Sequence, residues 1–447
     1  MKKYEVVIIG AGPAGYQSAL ELANAGVKVL LIDRSKENIG GTCLNRGCIP
    51  TKNYLESAKF ASRVDYFKDC GVDIEFKGLD LKKLKDKTKS LKDEIRIGVL
   101  WKLEQSKAET IFGDAKFIGT DKLSVDDKII EFEKCIIATG SKVREIEHLP
   151  IDGKIIISSS DIFELESLPK TITIVGGGAI SCEMATFFNT FGVKVTLIVR
   201  NNRLIPNEDE DISKALLRVF KKQNVKVVFS TTIERTELNK NSVKLFLKDS
   251  EEIIESEFVL SAVGRIPNIE SLTLENAKVE EDSNGFIKVD QYFQTSQKNI
   301  YAIGDCIDTQ SFAHTAYAEA KITVQNIING NKITNTHISP STIFTNPSIA
   351  SCGINEKEAI ENDYEIEIKK VFFKVNAKAK IIGDDSGFAK VIVCAKSGII
   401  VGCSIIGVDA TEIIHEMLIV IEKKITIKEL RKLIHAHPTV SEIISYL

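Results

Sequence analysis

Two segments of the chain share one pattern of apolar and polar positions: an apolar run, a cluster of glycines, an amphipathic stretch and a second apolar run. The first segment extends from YEVVIIGAGPAGY to VKVLLID, and the second extends from TITIVGGGA, which begins at residue 171, to VKVTLIVR. A strand that leads through a glycine turn into a helix and then into a parallel strand gives this alternation. The pattern therefore predicts two βαβ units and two nucleotide-binding domains.

The rest of the chain completes these domains and adds another. KCIIATGS (134–141) is a β-rich run that closes the first domain, and SEFVLSAVGRIPN (256–268) does the same for the second. After about residue 335, alternating strand patterns precede two helical stretches, which predicts an α+β domain. We therefore predict an α/β fold with two Rossmann-like dinucleotide-binding domains and a C-terminal α+β domain. The predicted boundaries are 1–142 for the first domain, 143–265 for the second, 266–334 for a central part that completes the first, and 335–447 for the last.

The composition argues against several classes of partner. Hydrophobic residues make up 43% of the chain and charged residues 27%, and the net charge is -3. These values are ordinary for a soluble globular protein and give no reason to expect nucleic acid or an anionic membrane as a partner. The N-terminal apolar run is shorter than the roughly 7–15 residues of a signal peptide, and no run approaches the roughly 18 apolar residues of a membrane span. We therefore expect a cytoplasmic protein.

The first glycine cluster has the spacing of a dinucleotide-binding loop. Gly10, Gly12 and Gly15 follow a predicted strand and open a predicted helix, and Asp33 ends the next strand. Glycines let the backbone turn tightly and approach a pyrophosphate, while the helix N-terminus stabilises the phosphate charge. The distal acid accepts hydrogen bonds from a ribose hydroxyl. Strand, helix and acid together make this a specific prediction.

The second glycine cluster departs from that pattern. Gly176 and Gly178 keep their places, but Ser181 replaces the third glycine. At the position equivalent to Asp33 stands Val199, followed by Arg200. An acid at this position repels a 2′-phosphate, whereas an arginine pairs with one.

Two interpretations of this second site follow. In the first, Arg200, with Arg203 three residues later, makes the site accept NADP(H) at least as well as NAD(H). In the second, both arginines extend into solvent and NAD binds without the acid.

The segment GGTCLNRGCIPTK (40–52) places Cys43 and Cys48 five residues apart, and three interpretations compete: half of a metal site, two buried structural thiols, or a reactive pair. A structural zinc site usually needs four ligands, and neither a second cysteine pair nor a histidine is close in sequence, so we expect no metal. Structural thiols remain possible. The flanking glycines and Lys52 favour an electropositive, reactive pair.

In this order and spacing, the motifs resemble those of the flavoprotein disulfide reductases, the class I pyridine nucleotide-disulfide oxidoreductases. The resemblance covers nearly the whole chain, and LNRGCIPTK with the AHxAxxE stretch makes the dihydrolipoamide dehydrogenases the most similar branch. The segments that carry it are GAGPAGY, GGTCLNRGCIPTK, ATG (138–140), AVGRIPN, YAIGDC, AHTAYAEA, FTNP and HAHPTVSE.

The resemblance implies FAD in the first nucleotide site, NAD or NADP in the second, and a homodimer formed through the last domain. Asp305 is expected to contact the ribityl chain of the flavin, and Lys52 and Glu183 are expected to pair beside the flavin ring. The remaining expected cofactor contacts are Gly10, Gly12, Gly15, Asp33, Gly41, Thr42, Ala138, Thr139 and Gly140 for the flavin side and Gly176, Gly178, Ser181, Val199, Arg200 and Gly264 in the nicotinamide nucleotide domain.

For the reaction, the resemblance implies a redox disulfide of Cys43 and Cys48. Cys43 is expected to exchange with the substrate, dihydrolipoamide or a lipoyl-carrying protein, and Cys48 to pass electrons to FAD. His437 and Glu442, in HPTVSE, are expected to serve as the base and its orienting acid for the cysteines of the other subunit. His314 is expected to be positional rather than catalytic.

Some positions depart from the lipoamide branch. Ser348 stands where that branch commonly has an acid, and Val199-Arg200 resembles the NADPH-using reductases. The alternatives to dihydrolipoamide oxidation are therefore an NADPH-dependent reductase of another small disulfide or acceptor and, less favoured, a non-catalytic FAD-binding subunit. A non-catalytic subunit is expected to have lost at least one of the four residues of the proposed chemistry. All four are present: Cys43, Cys48, His437 and Glu442.

Overall fold

The computed structural model describes residues 2–330 and 332–447, and these residues divide into two compact units. The first unit takes in the segments Met1–Thr51, Lys85–Arg144 and Gly264–Thr336, and the second takes in Lys52–Leu84, Glu145–Val263 and His337–Leu447. The division into domains expected from the sequence stays a prediction.

Strands make up five sheets in the described residues. In chain order they are β1 (Lys2–Ile9), β2 (Val29–Asp33), β3 (Glu109–Phe112), β4 (Ala115–Phe117), β5 (Lys122–Val125), β6 (Lys128–Ile137), β7 (Ser141–Val143), β8 (Ile156–Ser158), β9 (Thr171–Val175), β10 (Lys194–Val199), β11 (Lys226–Phe229), β12 (Ile233–Leu238), β13 (Val243–Leu247), β14 (Ile253–Ser256), β15 (Phe258–Ser261), β16 (Arg265–Pro267), β17 (Ile300–Ala302), β18 (Ser341–Ile343), β19 (Ser348–Gly353), β20 (Ile366–Phe372), β21 (Phe388–Cys394) and β22 (Ile400–Gly407).

Helices connect and cover these sheets. The α-helices of the described residues are α1 (Pro13–Asn24), α2 (Gly41–Arg46), α3 (Cys48–Ala61), α4 (Val64–Asp69), α5 (Leu81–Ser106), α6 (Ala179–Thr190), α7 (Glu210–Lys222), α8 (Ala313–Asn329), α9 (Glu356–Glu361), α10 (Ala377–Ile382), α11 (Ala410–Glu422) and α12 (Ile427–Leu430). Short 3₁₀ helices lie at Lys36–Asn38, Asp161–Glu164, Glu270–Leu272, Leu274–Ala277, Phe373–Val375 and Val440–Tyr446. None of the helices in the described residues is both long and apolar enough to cross a lipid bilayer.

The sheet of the first unit has the strand order β3-β2-β1-β6-β5-β4, and β17 also pairs with β6. Strand β1 pairs in parallel with both β2 and β6. From Val6 onward its side chains are apolar and buried, as in a parallel strand that is covered on both faces. Helix α1 connects β1 to β2 and packs against α8. Strands β1 and β2 with α1 form the first predicted βαβ unit.

The second unit contains the other predicted βαβ unit. Its parallel sheet has the order β11-β10-β9-β15-β8, with α6 connecting β9 to β10. Between β11 and β15 in the sequence, β12, β13 and β14 form a separate antiparallel sheet. The C-terminal residues form the antiparallel sheet β18-β19-β22-β21-β20, against which α11 packs. This is the α+β arrangement that the alternating pattern after residue 335 predicts.

A buried ion cluster holds elements of the second unit together. The ammonium of Lys390, on β21, lies 2.9 Å from Asp209 and 2.6 Å from Glu356. The side chains of Lys390 and Asp209 are 2% and 1% exposed. Because a buried charge is strongly destabilising without its partner, this pair fixes the start of α7, where Asp209 is the N-cap, against β21.

Candidate active site and cofactor sites

The first predicted nucleotide loop lies where β1 leads into α1. Gly10 follows β1, Gly12 is the N-cap of α1, and Gly15 is buried in the first turn of that helix. Asp33 ends β2, and its Oδ2 accepts a hydrogen bond from the N–H of Ala11 over 2.6 Å. A carboxylate has lone pairs for further donors. Asp33 can therefore hold the loop and a ribose hydroxyl together.

This loop contacts the cysteine segment backbone to backbone. Gly41 has a φ of +63°, and a Cβ placed on it would lie 2.6 Å from the Cα of Gly12. The N–H of Gly40 donates to the carbonyl of Ala11 over 2.8 Å. Only glycine allows the two backbones to come this close. A backbone without side chains also lets a bound pyrophosphate approach. Thr42, the next residue, is exposed.

The ATG turn lies at the end of β6, in the same unit. The N–H of Ala138 donates to the carbonyl of Ile9 over 2.8 Å, which holds the turn beside the first glycine loop. The Oγ1 of Thr139 is buried, and in the described part of the chain it has no hydrogen-bond partner. Gly140 follows with a φ of +68°. An orphaned buried hydroxyl is costly, and a bound cofactor would satisfy it.

Asp305 is held by a side-chain network that the sequence did not predict. Its Oδ2 accepts from Ser141 Oγ over 2.7 Å, and Arg265 donates to Ser141 Oγ over 2.7 Å and to its carbonyl over 2.6 Å. Burial lowers the pKa of Arg265, while the charges of Asp305 and Cys48 oppose this change. Gly264 precedes Arg265, is exposed, and accepts from the N–H of Arg144 over 3.0 Å.

Glu319, the acid of the AHxAxxE stretch, supports the loop that carries Asp305. It is 1% exposed, accepts from the N–H of Gly304 over 2.7 Å, and accepts from Thr309 Oγ1 over 2.6 Å. Burial raises its pKa, and these two hydrogen bonds oppose the rise. The motif had signalled that this stretch matters, but not that its acid fixes the neighbouring loop.

The two cysteines of the block lie on consecutive helices. Cys43 lies within α2 and is half-buried, and Cys48 is the first residue of α3 and is exposed. Gly47 separates the helices. Exposure and closeness in sequence suit a pair that must meet a substrate.

Asn45 anchors this segment from within. Its amide nitrogen donates to the carbonyls of Ile39 over 3.1 Å and Gly41 over 2.9 Å, and its Oδ1 accepts from Arg96 over 2.6 Å. Lys92, also on α5, donates to the Asn45 carbonyl over 3.2 Å. No local sequence signal pairs residue 45 with the long helix α5, so sequence reasoning missed this anchor.

Lys52 and Glu183 form an ion pair in the second unit. The Lys52 ammonium lies 2.9 Å and 3.0 Å from the two carboxylate oxygens, and the Glu183 side chain is 5% exposed. The N–H of Phe344 also donates to Glu183 over 2.9 Å, and the Lys52 ammonium lies 4.6 Å from the Phe344 ring centroid. The pairing expected from the sequence is present, and its place beside the flavin stays a prediction.

His437 and Glu442 are held together by the start of the last 3₁₀ helix. His437 Nδ1 lies 2.9 Å from Glu442 Oε1, and Thr439 N–H donates to Glu442 Oε2 over 3.0 Å as part of a capping box. The side chain of His437 is 69% exposed and that of Glu442 is 10% exposed. The backbone hydrogen bond from Thr439, followed by the bond to His437, lowers the pKa of Glu442. A fixed carboxylate therefore orients an imidazole that is open to the solvent.

The other histidines have different surroundings. His435 Nε2 lies 2.9 Å from Glu416, and His314 stacks on the Phe312 ring with 5.1 Å between the centroids. His337 Nδ1 lies 3.3 Å from Glu422. Within residues 2–330 and 332–447, no group of three or more His, Cys, Asp or Glu side chains is arranged to hold a metal ion.

The second nucleotide loop lies between β9 and α6. Gly176 follows β9, Gly178 is the N-cap of α6, and the fully buried Ser181 has an Oγ that finds no partner among the described residues. A Cβ placed on Gly177 would lie 2.5 Å from Val199 Cγ1, whereas one on Gly178 would meet nothing within 4 Å. The loop is therefore packed on its inner side and open at the helix N-terminus, which fits a pyrophosphate.

The arginines that follow β10 differ in their environment. Val199 is 2% exposed and ends the strand, and Arg200 directly after it is exposed. Arg203 is half-buried and donates through Nη2 to the carbonyl of Pro206. Arg200 is thus the arginine at the strand end with an accessible side chain.

The sequence matches one family over most of its length. Residues 4–320 match the family described as pyridine nucleotide-disulphide oxidoreductase. Residues 339–447 match the pyridine nucleotide-disulphide oxidoreductase dimerisation domain. The second match supports a homodimer.

Curated relatives align with almost the whole chain. A dihydrolipoyl dehydrogenase of Chlamydia pneumoniae is 33% identical over 445 residues, which cover 99% of this chain and 95% of that protein. A dihydrolipoyl dehydrogenase of Bacillus subtilis strain 168 is 34% identical over 444 residues, which cover 98% and 96%.

Solved structures share the fold. The HOCl-induced flavoprotein disulfide reductase RclA from Escherichia coli superposes with a TM-score of 0.90 at 28% identity, covering 99% of this chain and 98% of that one. LpdA from Mycobacterium tuberculosis gives a TM-score of 0.91 at 23% identity, covering 100% and 98%, and this likeness bears on the fold alone. The predicted fold class and the predicted cofactors, FAD and NAD(P), are confirmed.

We predict that Gly41→Ala prevents FAD from binding, because its Cβ would meet the Cα of Gly12 at 2.6 Å. The matched control is Gly26→Ala: Gly26 has a φ of +84° but open space around its Cβ position. We expect the control to lose about 1–2 kcal/mol of stability from backbone strain and to keep its flavin. The measurement is flavin absorbance per mole of purified protein, together with the thermal midpoint. A full flavin content in Gly41→Ala would contradict the close contact.

Proposed function

This chain belongs to the pyridine nucleotide-disulphide oxidoreductase family, and we propose that it oxidises dihydrolipoamide to lipoamide with NAD⁺ or NADP⁺ as the final acceptor. The observation that carries the proposal is the identity of 33–34% with dihydrolipoyl dehydrogenases over nearly the full length of both chains. Both cysteines of the block and the oriented pair of His437 and Glu442 support it.

In the proposed reaction, Cys43 and Cys48 form the redox disulfide. A thiolate of dihydrolipoamide attacks Cys43, forms a mixed disulfide with it and breaks the Cys43–Cys48 bond, so that Cys48 leaves as a thiolate. The second substrate thiol then attacks the substrate sulfur of this mixed disulfide, closes the lipoamide disulfide and releases Cys43 as a thiolate. The substrate loses two electrons and two protons, and the cysteines take up the electron pair as two thiols or thiolates. Bound FAD supplies the passage of this electron pair, as a hydride, to the nicotinamide.

His437 is proposed to accept the substrate proton. Because Glu442 occupies Nδ1, Nε2 is the nitrogen directed to other partners, and the carboxylate stabilises the imidazolium that forms. In the homodimer, His437 would act on the disulfide of the partner subunit. The dimer would then be a condition of activity.

The remaining residues are proposed to hold the cofactors. Lys52 with Glu183 would lie beside the flavin ring, and Asp305, fixed by Ser141, would bind the ribityl chain. The glycine loop ending in Asp33 would bind the FAD pyrophosphate and ribose. The other proposed contacts are Gly41, Thr42, Ala138, Thr139 and Gly140 for FAD and Gly176, Gly178, Ser181, Val199, Arg200 and Gly264 for the nicotinamide nucleotide.

The proposal extends to the setting of the enzyme. The domain boundaries would be those expected from the sequence, with residues 335–447 forming the dimer interface. The lipoyl group would be carried by another protein, and the cytoplasm is the proposed compartment, since most of the nine cysteines suit a reducing environment.

Two observations favour a second candidate function. RclA from Escherichia coli, described as a flavoprotein disulfide reductase and also solved as a Cu(II) complex, superposes with a TM-score of 0.90. The accessible Arg200 after Val199 also suits NADPH. In this second proposal the protein catalyses the reverse electron transfer, as an NADPH-dependent reductase of another small disulfide or acceptor.

Cys48→Ser is expected to abolish dihydrolipoamide oxidation, because no disulfide can form, while FAD stays bound. The matched control is Cys70→Ser, at an exposed cysteine outside the block, which should keep the full rate. The measurement is NADH or NADPH formation from dihydrolipoamide. Undiminished turnover in Cys48→Ser would rule out the proposed mechanism. A wild-type protein that oxidises no dihydrolipoamide but consumes NADPH with another disulfide would favour the second candidate.

Glu442→Gln should lower kcat for dihydrolipoamide oxidation by about tenfold to a hundredfold, less than the factor of about 10²–10⁴ expected for the loss of a general base itself in His437→Gln. The amide oxygen can still accept from Thr439, so the helix cap is kept, but the imidazolium loses its negative partner. Steady-state rates across pH test this. If Glu442→Gln and His437→Gln lost equal activity, the carboxylate would do more than orient the base.

Arg200→Ala should raise KM for NADP⁺ by about tenfold to a hundredfold and leave KM for NAD⁺ unchanged, because one charge-assisted contact with a 2′-phosphate is worth about 1.5–3 kcal/mol. Lys194→Ala, at an exposed position on the same strand β10, is the control and should change neither constant. Equal effects on both nucleotides would mean that Arg200 does not read the phosphate.

A further inference from the structure

Two tyrosines of the first unit share a hydrogen bond between their hydroxyl groups. Tyr16 lies on α1 and Tyr317 lies on α8, and both are half-buried. Their ring centroids are 5.9 Å apart, with the ring planes inclined by 68°. The N–H of Tyr16 donates to the carbonyl of Gly12 over 3.0 Å, which fixes its place one turn into the helix.

The backbone contact between the nucleotide loop and the cysteine block brings this pair near Cys43. Tyr16 lies four residues after Gly12, and Cys43 lies two residues after Gly41 within α2. A Cβ on Gly41 would lie 2.6 Å from the Cα of Gly12. Tyr16 and Cys43 therefore flank one close backbone contact, each within about a helical turn of it.

The electrostatics of the two hydroxyls agree with this placement. Burial raises the pKa of Tyr16, and negative charge on Cys43 raises it further, while the hydrogen bond with Tyr317 opposes the rise. Burial, the bond with Tyr16, and negative charge on Cys43 and Cys48 all raise the pKa of Tyr317. Both phenols therefore keep their protons and remain donors when a thiolate forms.

Of the two hydroxyl protons of the pair, one is not used between the tyrosines and can be donated to another group. Each phenol has a single O–H, and one of the two is used within the pair. The hydroxyl that accepts keeps its own proton for a third group. We propose that the paired hydroxyls of Tyr16 and Tyr317 donate this hydrogen bond to the Cys43 thiolate that forms when the disulfide opens. This inference rests on the proposed function, in which the sulfur of Cys43 exchanges with the substrate; the tyrosines would stabilise that sulfur as a thiolate.

A charged group on another element acts on the second sulfur. Arg265, on β16, interacts electrostatically with Cys48, and the same guanidinium interacts with Arg46 of α2 and with Asp305. A cation near Cys48 stabilises its thiolate. The two sulfurs would thus be stabilised differently, Cys43 by a neutral donor pair and Cys48 by a guanidinium.

The test is the thiol pKa of Cys43 in the FAD-loaded dimer reduced with dithiothreitol. It is read from the pH dependence of iodoacetamide alkylation, quantified by mass spectrometry on the peptide that contains residue 43. Tyr317→Phe and Tyr16→Phe keep the rings but remove a hydroxyl. A hydrogen bond to a charged group corresponds to about 1–2 pKa units, so we expect the midpoint to rise by that amount. Alkylation below the midpoint should slow about tenfold or more.

Tyr301→Phe is the matched control. Tyr301 is a buried tyrosine of β17 whose hydroxyl accepts from Gln294 over 3.1 Å, and its loss should leave the Cys43 midpoint unchanged. A midpoint that moves in neither Tyr16→Phe nor Tyr317→Phe, or that moves equally in Tyr301→Phe, overturns the inference. Alkylation before reduction separately shows whether Cys43 and Cys48 are joined in the wild type. Their not being joined would count against the proposed function, while the midpoints still decide the role of the tyrosines.

Discussion

The close contact between Gly12 and Gly41 is the constraint on which the first unit depends. Only 2.6 Å separates the Cα of Gly12 from the place of a Cβ on Gly41, and the N–H of Gly40 donates to the carbonyl of Ala11 over 2.8 Å, which holds the two loops together. The glycine that opens α1 therefore also fixes where α2 begins, and with it the position of Cys43. A cofactor loop and a redox segment that lie about 30 residues apart in sequence become one local structure, and α1 carries Tyr16 into the same place.

Asp305 is held by the Ser141 hydroxyl, whereas the other four acids share one arrangement. Each fixes one carboxylate to a backbone N–H, so that its orientation is set by the main chain rather than by solvent. The pairs of acid and donor are Asp33 with Ala11, Glu183 with Phe344, Glu319 with Gly304, and Glu442 with Thr439. Because a carboxylate has more than one acceptor position, the same group can then orient a cation, an imidazole or a ribose. Precise placement matters for catalysis since small displacements are costly in rate.

Local spacing made much of this predictable. The glycines, Asp33 and the two cysteines are informative in sequence because each set lies within one short segment or one βαβ unit with a fixed spacing, and the βαβ units follow from apolar periodicity. The Asn45 anchor on Arg96 and the pairing of Tyr16 with Tyr317 join residues that are far apart along the chain. Such contacts depend on how helices pack, and no single-sequence pattern encodes that packing.

The two nucleotide loops differ in the side chain that ends the following strand, an acid in the first and a valine in the second. In the first, Asp33 accepts a hydrogen bond from the N–H of Ala11, so the acid that is proposed to bind the ribose is also part of the loop. In the second, Val199 occupies that place and packs its Cγ1 against Gly177, where even a Cβ would lie only 2.5 Å away. The Val199 side chain therefore packs against the loop and has no polar atom that could bind a ribose. Under the proposed function, a residue outside the packed strand would distinguish NAD from NADP, and the exposed Arg200 is the next one along the chain.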